Sequence, residues 1–388
     1  MSEEPRSTKA LPPAKKVVFS FVAALIVLVA TELLGRAAWH LRFDEGEDRR
    51  VRAFFGLGGG WDPNVASNFL PHHYLVYSLN PEASWSNAEV DGGRSHDFVN
   101  ELGYRGEPLA LEKPPGVFRI VCIGGSTTFG INQAADELTY PSQLEAILTE
   151  RFSSPRFEVV NAGTPGWTSA ESLVNFQFRV LELSPDAVVS YDGVNDTFAM
   201  RARDEGRSDY SNFRRIVRFP TPGPLTRHAL RASAFVRFAY YGWYGPENIA
   251  FDINRLAIRP TPVEFLGNLD RATGKYFRRN TESLVAIARA NEVLPVLVTM
   301  GHGEWHPSLA RTAQIYRQVA EKTGARLVDF EPLSRDEFFT EDRVHLTGAG
   351  NAALAAAVAE EISRVGAMFV PRSAGAQSRR AGTLIVPE

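Results

Sequence analysis

Four short blocks carry the residues able to do chemistry: Gly124-Gly125-Ser126-Thr127-Thr128, Asn161-Ala162-Gly163, Gly193-Val194-Asn195-Asp196 and Asp342-Arg343-Val344-His345. Together they supply a hydroxyl, a flexible backbone N–H, a side-chain amide, a carboxylate and an imidazole. That is the inventory for acyl transfer: a nucleophile, a base, a group that orients the base, and donors for an oxyanion. A serine hydroxyl attacks only if its proton is removed as it does so, and His345 is the natural base because histidine titrates near neutrality. Asp342, three residues earlier in a turn, reaches the other ring nitrogen and holds one tautomer. The backbone N–H groups of Ser126 and Gly163 and the Asn195 amide are the expected oxyanion donors.

Elements that would bring these blocks to one place are legible around them. Short β-branched runs at Phe118–Ile123, Phe157–Asn161, Asp186–Tyr191, Leu294–Met300 and Ala325–Phe330 read as buried strands. Helical stretches at Tyr140–Phe152, Ala170–Leu183, Leu269–Ala290, Leu309–Thr323 and Gly350–Val365 follow them. Leu284, Ile287 and Ala288 illustrate the three-and-four spacing of a helix face packed on a sheet. The alternation predicts an α/β fold, a three-layer α/β/α body with a parallel five-stranded sheet. In such a sheet ligands bind beyond the carboxyl ends of the strands, where the first three blocks stand and to which the fourth must come.

Outside this body, residues 1–16 form a polar tail with Arg6, Lys9, Lys15 and Lys16, and Val17 to Ala30 is apolar except for Ser20. The segment 17–36 reads as a transmembrane anchor with the cationic tail in the cytoplasm, because no small-x-small cleavage site follows it. The body would then be periplasmic or extracellular. Residues 45–116 are a Gly/Pro/Asn-rich lead-in, 198–268 an insertion and 371–388 a disordered tail. The insertion carries Arg201, Arg203, Arg207, Arg214, Arg215 and Arg218, then the aromatic residues Phe235, Phe238, Tyr240, Tyr241, Trp243 and Tyr244. It follows Asn195 and is expected to emerge at the site edge, where its parts would shape the acyl-acceptor or leaving-group side of the pocket.

The four blocks resemble those of the SGNH (GDSL-type) hydrolase superfamily, and the resemblance runs over residues 117–365. It implies Ser126 as nucleophile, Asp342 and His345 as its partners, and Ser126, Gly163 and Asn195 as the oxyanion hole. Gly125 stands where the family's Gly-Asp-Ser has aspartate. The stretch Asn100-Glu-Leu-Gly-Tyr-Arg-Gly106, with the anchor, resembles bacterial membrane-attached members. The expected activity is a serine esterase on an ester substrate, an acylated glycan or a lipid. The alternatives are an O-acyltransferase acting on a cell-surface glycan and a non-catalytic binding protein that keeps the fold.

Other chemistries find little support. Lys+Arg 42 against Asp+Glu 45 leaves no basic excess for nucleic acid. The single cysteine, Cys122, excludes an intrachain disulfide and a cysteine-rich metal site, and it reads as a buried strand residue. Gly124 to Gly130 lacks the glycine and lysine spacing of phosphate-binding loops, and no Gly-x-Ser-x-Gly elbow occurs. His72 and His73 are adjacent, so on an extended segment they diverge and make no shared metal site. His302 and His306, after the Leu294–Met300 run, stand on the site edge. No cofactor and no metal are expected.

Overall fold

The computed structural model describes residues 12–43, 69–81, 85–86, 95–96, 99–200, 208–210, 223–244, 273–301, 307–366 and 369–371. The expectations for the arginines between 201 and 218, for His302 and His306 and for the tail beyond Pro371 lie outside the described residues. So do those for most of the lead-in before residue 99. The chain divides into two compact units, Met1–Ala66 with Arg218–Phe251, and Ser67–Val217 with Asp252–Glu388.

The larger unit holds the sheet. Its strands are β3 (Val117–Gly124), β4 (Arg156–Gly163), β5 (Ala187–Tyr191), β6 (Leu294–Val298) and β7 (Arg326–Val328), preceded by a hairpin of β1 (Phe69–His72) and β2 (Val76–Leu79). The five pair in the order β7-β6-β5-β3-β4, all parallel. The chain builds β4 on one flank of β3 and then crosses to β5 on the other, so the strand order reverses at β3. The crevice at such a switch point is where open α/β sheets bind ligands.

The helices of this unit are α2 (Ser126–Phe129), α3 (Tyr140–Arg151), α4 (Ser169–Asn175), α5 (Val194–Met200), α8 (Lys275–Ala290), α9 (Pro307–Thr323) and α10 (Gly348–Val365). Successive strand residues point to opposite faces. Ile120, Cys122, Val189 and Tyr191 therefore pack with Leu144 and Leu148 of α3 and Leu354, Val358 and Ile362 of α10. Val121, Ile123 and Val188 pack on the other face with Phe176, Val180, Leu284 and Ala288. This is the expected three-layer arrangement. The helix expected over Ala170–Leu183 is not uniform: α4 opens with a Thr168–Glu171 capping box, passes into a wide turn at Phe176–Val180 and closes on a tight one at Leu181–Leu183. Phe176, Val180 and Leu183 share one buried face.

The smaller unit contains α1 (Pro13–Arg42) and two helices of the insertion, α6 (Pro224–Ala232) and α7 (Ala234–Tyr244). Among the described residues α1 is the one helix long and apolar enough, by length and composition, to cross a membrane. It runs past residue 36, and its end is not separate from the insertion. Trp39, Phe43 and Leu230 form a buried cluster with Val236, Phe238, Tyr240 and Tyr241 against it. Phe238, Tyr240 and Tyr241 of the insertion thus pack with the end of α1, while Trp243 is exposed.

Candidate active site

The nucleophile block sits where β3 ends. Gly124 has φ +154°, and a Cβ there would lie 2.3 Å from Thr128 Oγ1 and 2.5 Å from the Tyr191 carbonyl oxygen. Only glycine lets the chain turn so tightly from strand into α2. Ser126 is the first residue of α2, which ends at Gly130 in the left-handed region.

His345 arrives on a loop whose ends are bridged at Phe339 and Leu346 and whose Thr340 N–H donates to the His345 carbonyl (2.8 Å). Asp342 Oδ1 accepts from the backbone N–H groups of Val344 and His345, each at 2.9 Å, and from the Thr340 hydroxyl at 2.9 Å. Its Oδ2 pairs with His345 Nδ1. The other ring nitrogen, Nε2, lies 2.7 Å from Ser126 Oγ. Burial works to raise the Asp342 pKa, but the His345 ring and the two backbone donors outweigh it and hold the carboxyl below the ordinary carboxylate range. A carboxylate kept ionised on one nitrogen leaves the other free to take a proton from the serine. Ser126, His345 and Asp342 are thus brought into one hydrogen-bonded line.

Asn195 opens α5. The fully buried Asp196 beside it accepts from Ser169 N–H (2.9 Å), Ser169 Oγ (2.5 Å) and Tyr210 Oη (2.8 Å), which ties the start of α5 to the start of α4. Burial, above all, raises the Asp196 pKa. So held, Asn195 Nδ2 donates to the Trp167 carbonyl at 2.7 Å. The same nitrogen lies 2.8 Å from where a Cβ on Gly125 would be, so it hangs directly over the residue before Ser126. The loop bearing Trp167 is in turn held by β2: Trp167 Nε1 donates to the Tyr77 carbonyl (3.2 Å), and Tyr77 Oη to the Pro165 carbonyl (2.8 Å).

Gly163 is placed differently from the expectation. Its N–H donates to Asn161 Oδ1 at 3.1 Å, and a Cβ on it would come within 2.4 Å of the Phe129 nitrogen. It stands opposite Gly124 in the sheet, behind α2, with its donor already engaged by a side chain of its own strand. As an oxyanion donor it is corrected: its glycine identity serves close packing of β4 against α2.

The sequence reading did not identify the residues that fix the two halves of the site to each other. Asn132 Nδ2 donates to Thr340 Oγ1 (3.3 Å), and Gln133 Nε2 to the Leu346 carbonyl (2.9 Å), so the loop after α2 carries the histidine loop. Arg105, buried, donates to the carbonyls of Phe129 (3.0 Å), Gly130 (2.8 Å) and Gln133 (3.2 Å) and pairs with Asp136 (2.7 Å). The signal for Arg105 was the Asn100–Gly106 stretch, whose role no spacing rule discloses. His72 is a turn residue, its Nδ1 accepting from the N–H groups of Tyr74 and Leu75, both at 3.2 Å. Cys122 is fully buried and its thiol pushed up to about 12 by desolvation, so it is no nucleophile. Among the described residues no group of three or more His, Cys, Asp or Glu could hold a metal ion.

Three solved structures similar to this chain are a lipase/acylhydrolase from Enterococcus faecalis, an acetylxylan esterase from Geobacillus stearothermophilus and an α/β hydrolase from the Lake Arreo metagenome. The first is 18% identical with a TM-score of 0.42, and covers 66% of this chain and 100% of its own. The second is 19% identical with a TM-score of 0.39, covering 63% and 94%. The third is 20% identical with a TM-score of 0.40, covering 63% and 95%. Among curated proteins none matches. The profile of the GDSL-like lipase/acylhydrolase family matches residues 122–353, a span that begins in β3 just before Ser126 and ends in α10 just after His345. With more than half of its length matched, the chain belongs to the GDSL-like lipase/acylhydrolase family and is an ester-bond hydrolase.

Proposed function

We propose that the protein is a serine esterase working through Ser126, His345 and Asp342, held at the outer face of a membrane by α1. The observation that carries the reading is the unbroken line from Asp342 through both ring nitrogens of His345 to Ser126 Oγ. As Ser126 Oγ adds to the ester carbonyl, His345 Nε2 takes its proton. When the tetrahedral intermediate collapses, the carbon–oxygen bond to the alcohol breaks and the same proton goes to the leaving oxygen. Water then repeats the sequence on the acyl-serine, releasing the acid. Two donors face the developing oxyanion. One is the Ser126 N–H, which has no partner within the helix it begins. The other is the Asn195 amide, which spends one hydrogen on Trp167 and keeps the second. Lysines ahead of the apolar run support an orientation with the body on the periplasmic or extracellular side.

The test is fluorophosphonate labelling followed by peptide mapping, with turnover of p-nitrophenyl acetate alongside. The label is expected on Ser126, and Ser126→Ala is expected to fold normally and lose both labelling and turnover. Undiminished turnover in that variant would refute the assignment. Repeating the assay with acetylated oligosaccharides and an unacetylated acceptor separates hydrolysis, which releases the free acid, from transfer, which yields a new ester.

A further inference from the structure

One carboxylate interrupts the apolar part of α1, and it has a specific use. Glu32 accepts from Ser233 Oγ (2.7 Å), from the backbone N–H groups of Ala234 (3.1 Å) and Phe235 (3.4 Å), and from Arg36 Nε (3.0 Å). It therefore supplies, from another helix, the acceptor that the first N–H groups of α7 require. Three residues on, Gly35 lets the backbones touch: a Cβ there would be 2.5 Å from the Phe235 nitrogen and Cα. Further along α1, Trp39 and Phe43 meet Tyr241 at ring-centroid distances of 6.5 and 4.7 Å. Arg237 lies over Trp39 at 5.4 Å and Arg42 over Phe43 at 5.2 Å. Residues 224–244 are thus a helical hairpin whose tip, Ser233–Phe235, is pinned at Glu32–Gly35.

The depth of that tip follows from helix geometry. At 1.5 Å per residue the apolar stretch from Val17 to Leu34 is about 27 Å long, close to the roughly 30 Å hydrocarbon core of a bilayer. Gly35 then stands where the hydrocarbon ends, and Phe235, pressed on it, stands there too. Phe235 keeps 44% of its surface exposed. Arg36 and Arg231, also exposed, occupy the same level. A half-exposed aromatic ring flanked by arginines is the composition of a membrane–water interface, where aromatic rings sit among headgroups and arginines meet lipid phosphates.

We infer that the α6–α7 hairpin is a lipid-contacting element that seats its tip, Phe235 first, in the headgroup layer beside α1, with Glu32 as the latch. The inference rests on the reading of α1 as a membrane anchor, and its test keeps the two apart. The native Cys122 is buried, so a cysteine introduced elsewhere takes up a nitroxide label selectively. The full-length protein is labelled as Leu25→Cys, Phe235→Cys or Tyr74→Cys and placed in vesicles of phosphatidylethanolamine and phosphatidylglycerol. Collisions of each label with oxygen, which partitions into lipid, and with a water-soluble nickel chelate are then compared. The oxygen-to-nickel ratio at 235 is expected to exceed that at the exposed position 74 severalfold and to lie below that at 25. Adding Glu32→Ala is expected to bring the ratio at 235 down toward that at 74 while leaving 25 unchanged. A lipid-like ratio at 25 with an aqueous one at 235 overturns the inference alone. A lipid-like ratio at 235 that survives Glu32→Ala refutes the latch. An aqueous ratio at 25 removes the anchor reading and the inference with it.

Discussion

Replacing Arg105 with lysine keeps the charge and removes the fork. Arg105 is only 3% exposed. Its Nε, Nη1 and Nη2 serve Asp136, the carbonyls of Phe129 and Gly130, and the carbonyl of Gln133. A lysine ammonium is one atom on a flexible stem and cannot span all of these partners while it pairs with Asp136. The Phe129 and Gly130 carbonyls keep donors in Asn161 Nδ2 (3.3 Å) and the Gln133 N–H (2.9 Å), which leaves the Gln133 carbonyl as the acceptor at risk. A buried acceptor left unsatisfied costs about 1–3 kcal/mol, so the loss in stability is about 1–3 kcal/mol. For a domain of this size 1 kcal/mol shifts Tm by about 2–4 °C, so a drop of at least about 2 °C is expected in thermal melts of the detergent-solubilised protein. The lost bonds are those to the end of α2 and to the loop that carries the histidine loop, so kcat on p-nitrophenyl acetate should fall with little change in KM. A Tm within about 1 °C of the parent's, with kcat unchanged, would refute the argument that Arg105 holds the two halves of the site together.

Three further outcomes follow from the same geometry. Asn195→Ala should lower kcat by roughly 10²–10³ with little effect on KM, since in the proposed mechanism its donor acts on charge that develops in the transition state; a defect confined to KM would make it a ground-state binding residue. Gly125→Ala places a methyl 2.8 Å from Asn195 Nδ2 and should damage the same interaction, so the double variant should fall well short of the product of the two single losses. Asp192 is fully buried, and desolvation, reinforced by the Asp196 charge, pushes its carboxyl up to about 8. The native state therefore keeps a proton that the unfolded chain releases near pH 4, and stability falls as pH rises from about 4 to about 8. Asp192→Asn should flatten that decline in Tm across the window, and a variant as pH-sensitive as the parent would exclude Asp192 as its source.

The sheet was legible because its strands are short β-branched runs ending in glycines, and buried parallel strands have few other sequence forms. The four blocks were legible because a hydroxyl, an amide and an Asp-x-x-His each follow a predicted element. Gly163 shows where that reasoning stops. A glycine after a strand is compatible both with an exposed donor and with close packing, and only the position of the Asn161 side chain decides between them. Arg105 was hidden for a related reason, since its partners are backbone carbonyls whose positions no residue type announces. The aromatic residues at 235–244 could be read as local core or as a pocket wall, and nothing in their spacing says that Glu32, some two hundred positions earlier, caps their helix.

Asp342 and His345 reach Ser126 already paired on one tight loop, their mutual geometry set by bonds within six consecutive residues, Thr340 to His345. A three-member relay of this kind therefore contains a single long-distance relation, serine to histidine, in place of two. The scaffold has one degree of freedom to control, and it controls it locally through Asn132 and Gln133, so drift elsewhere in the sheet is absorbed without changing how the acid meets the base. Such a hexapeptide can be carried between backgrounds as a preassembled part, and its partner serine needs only a turn able to meet it.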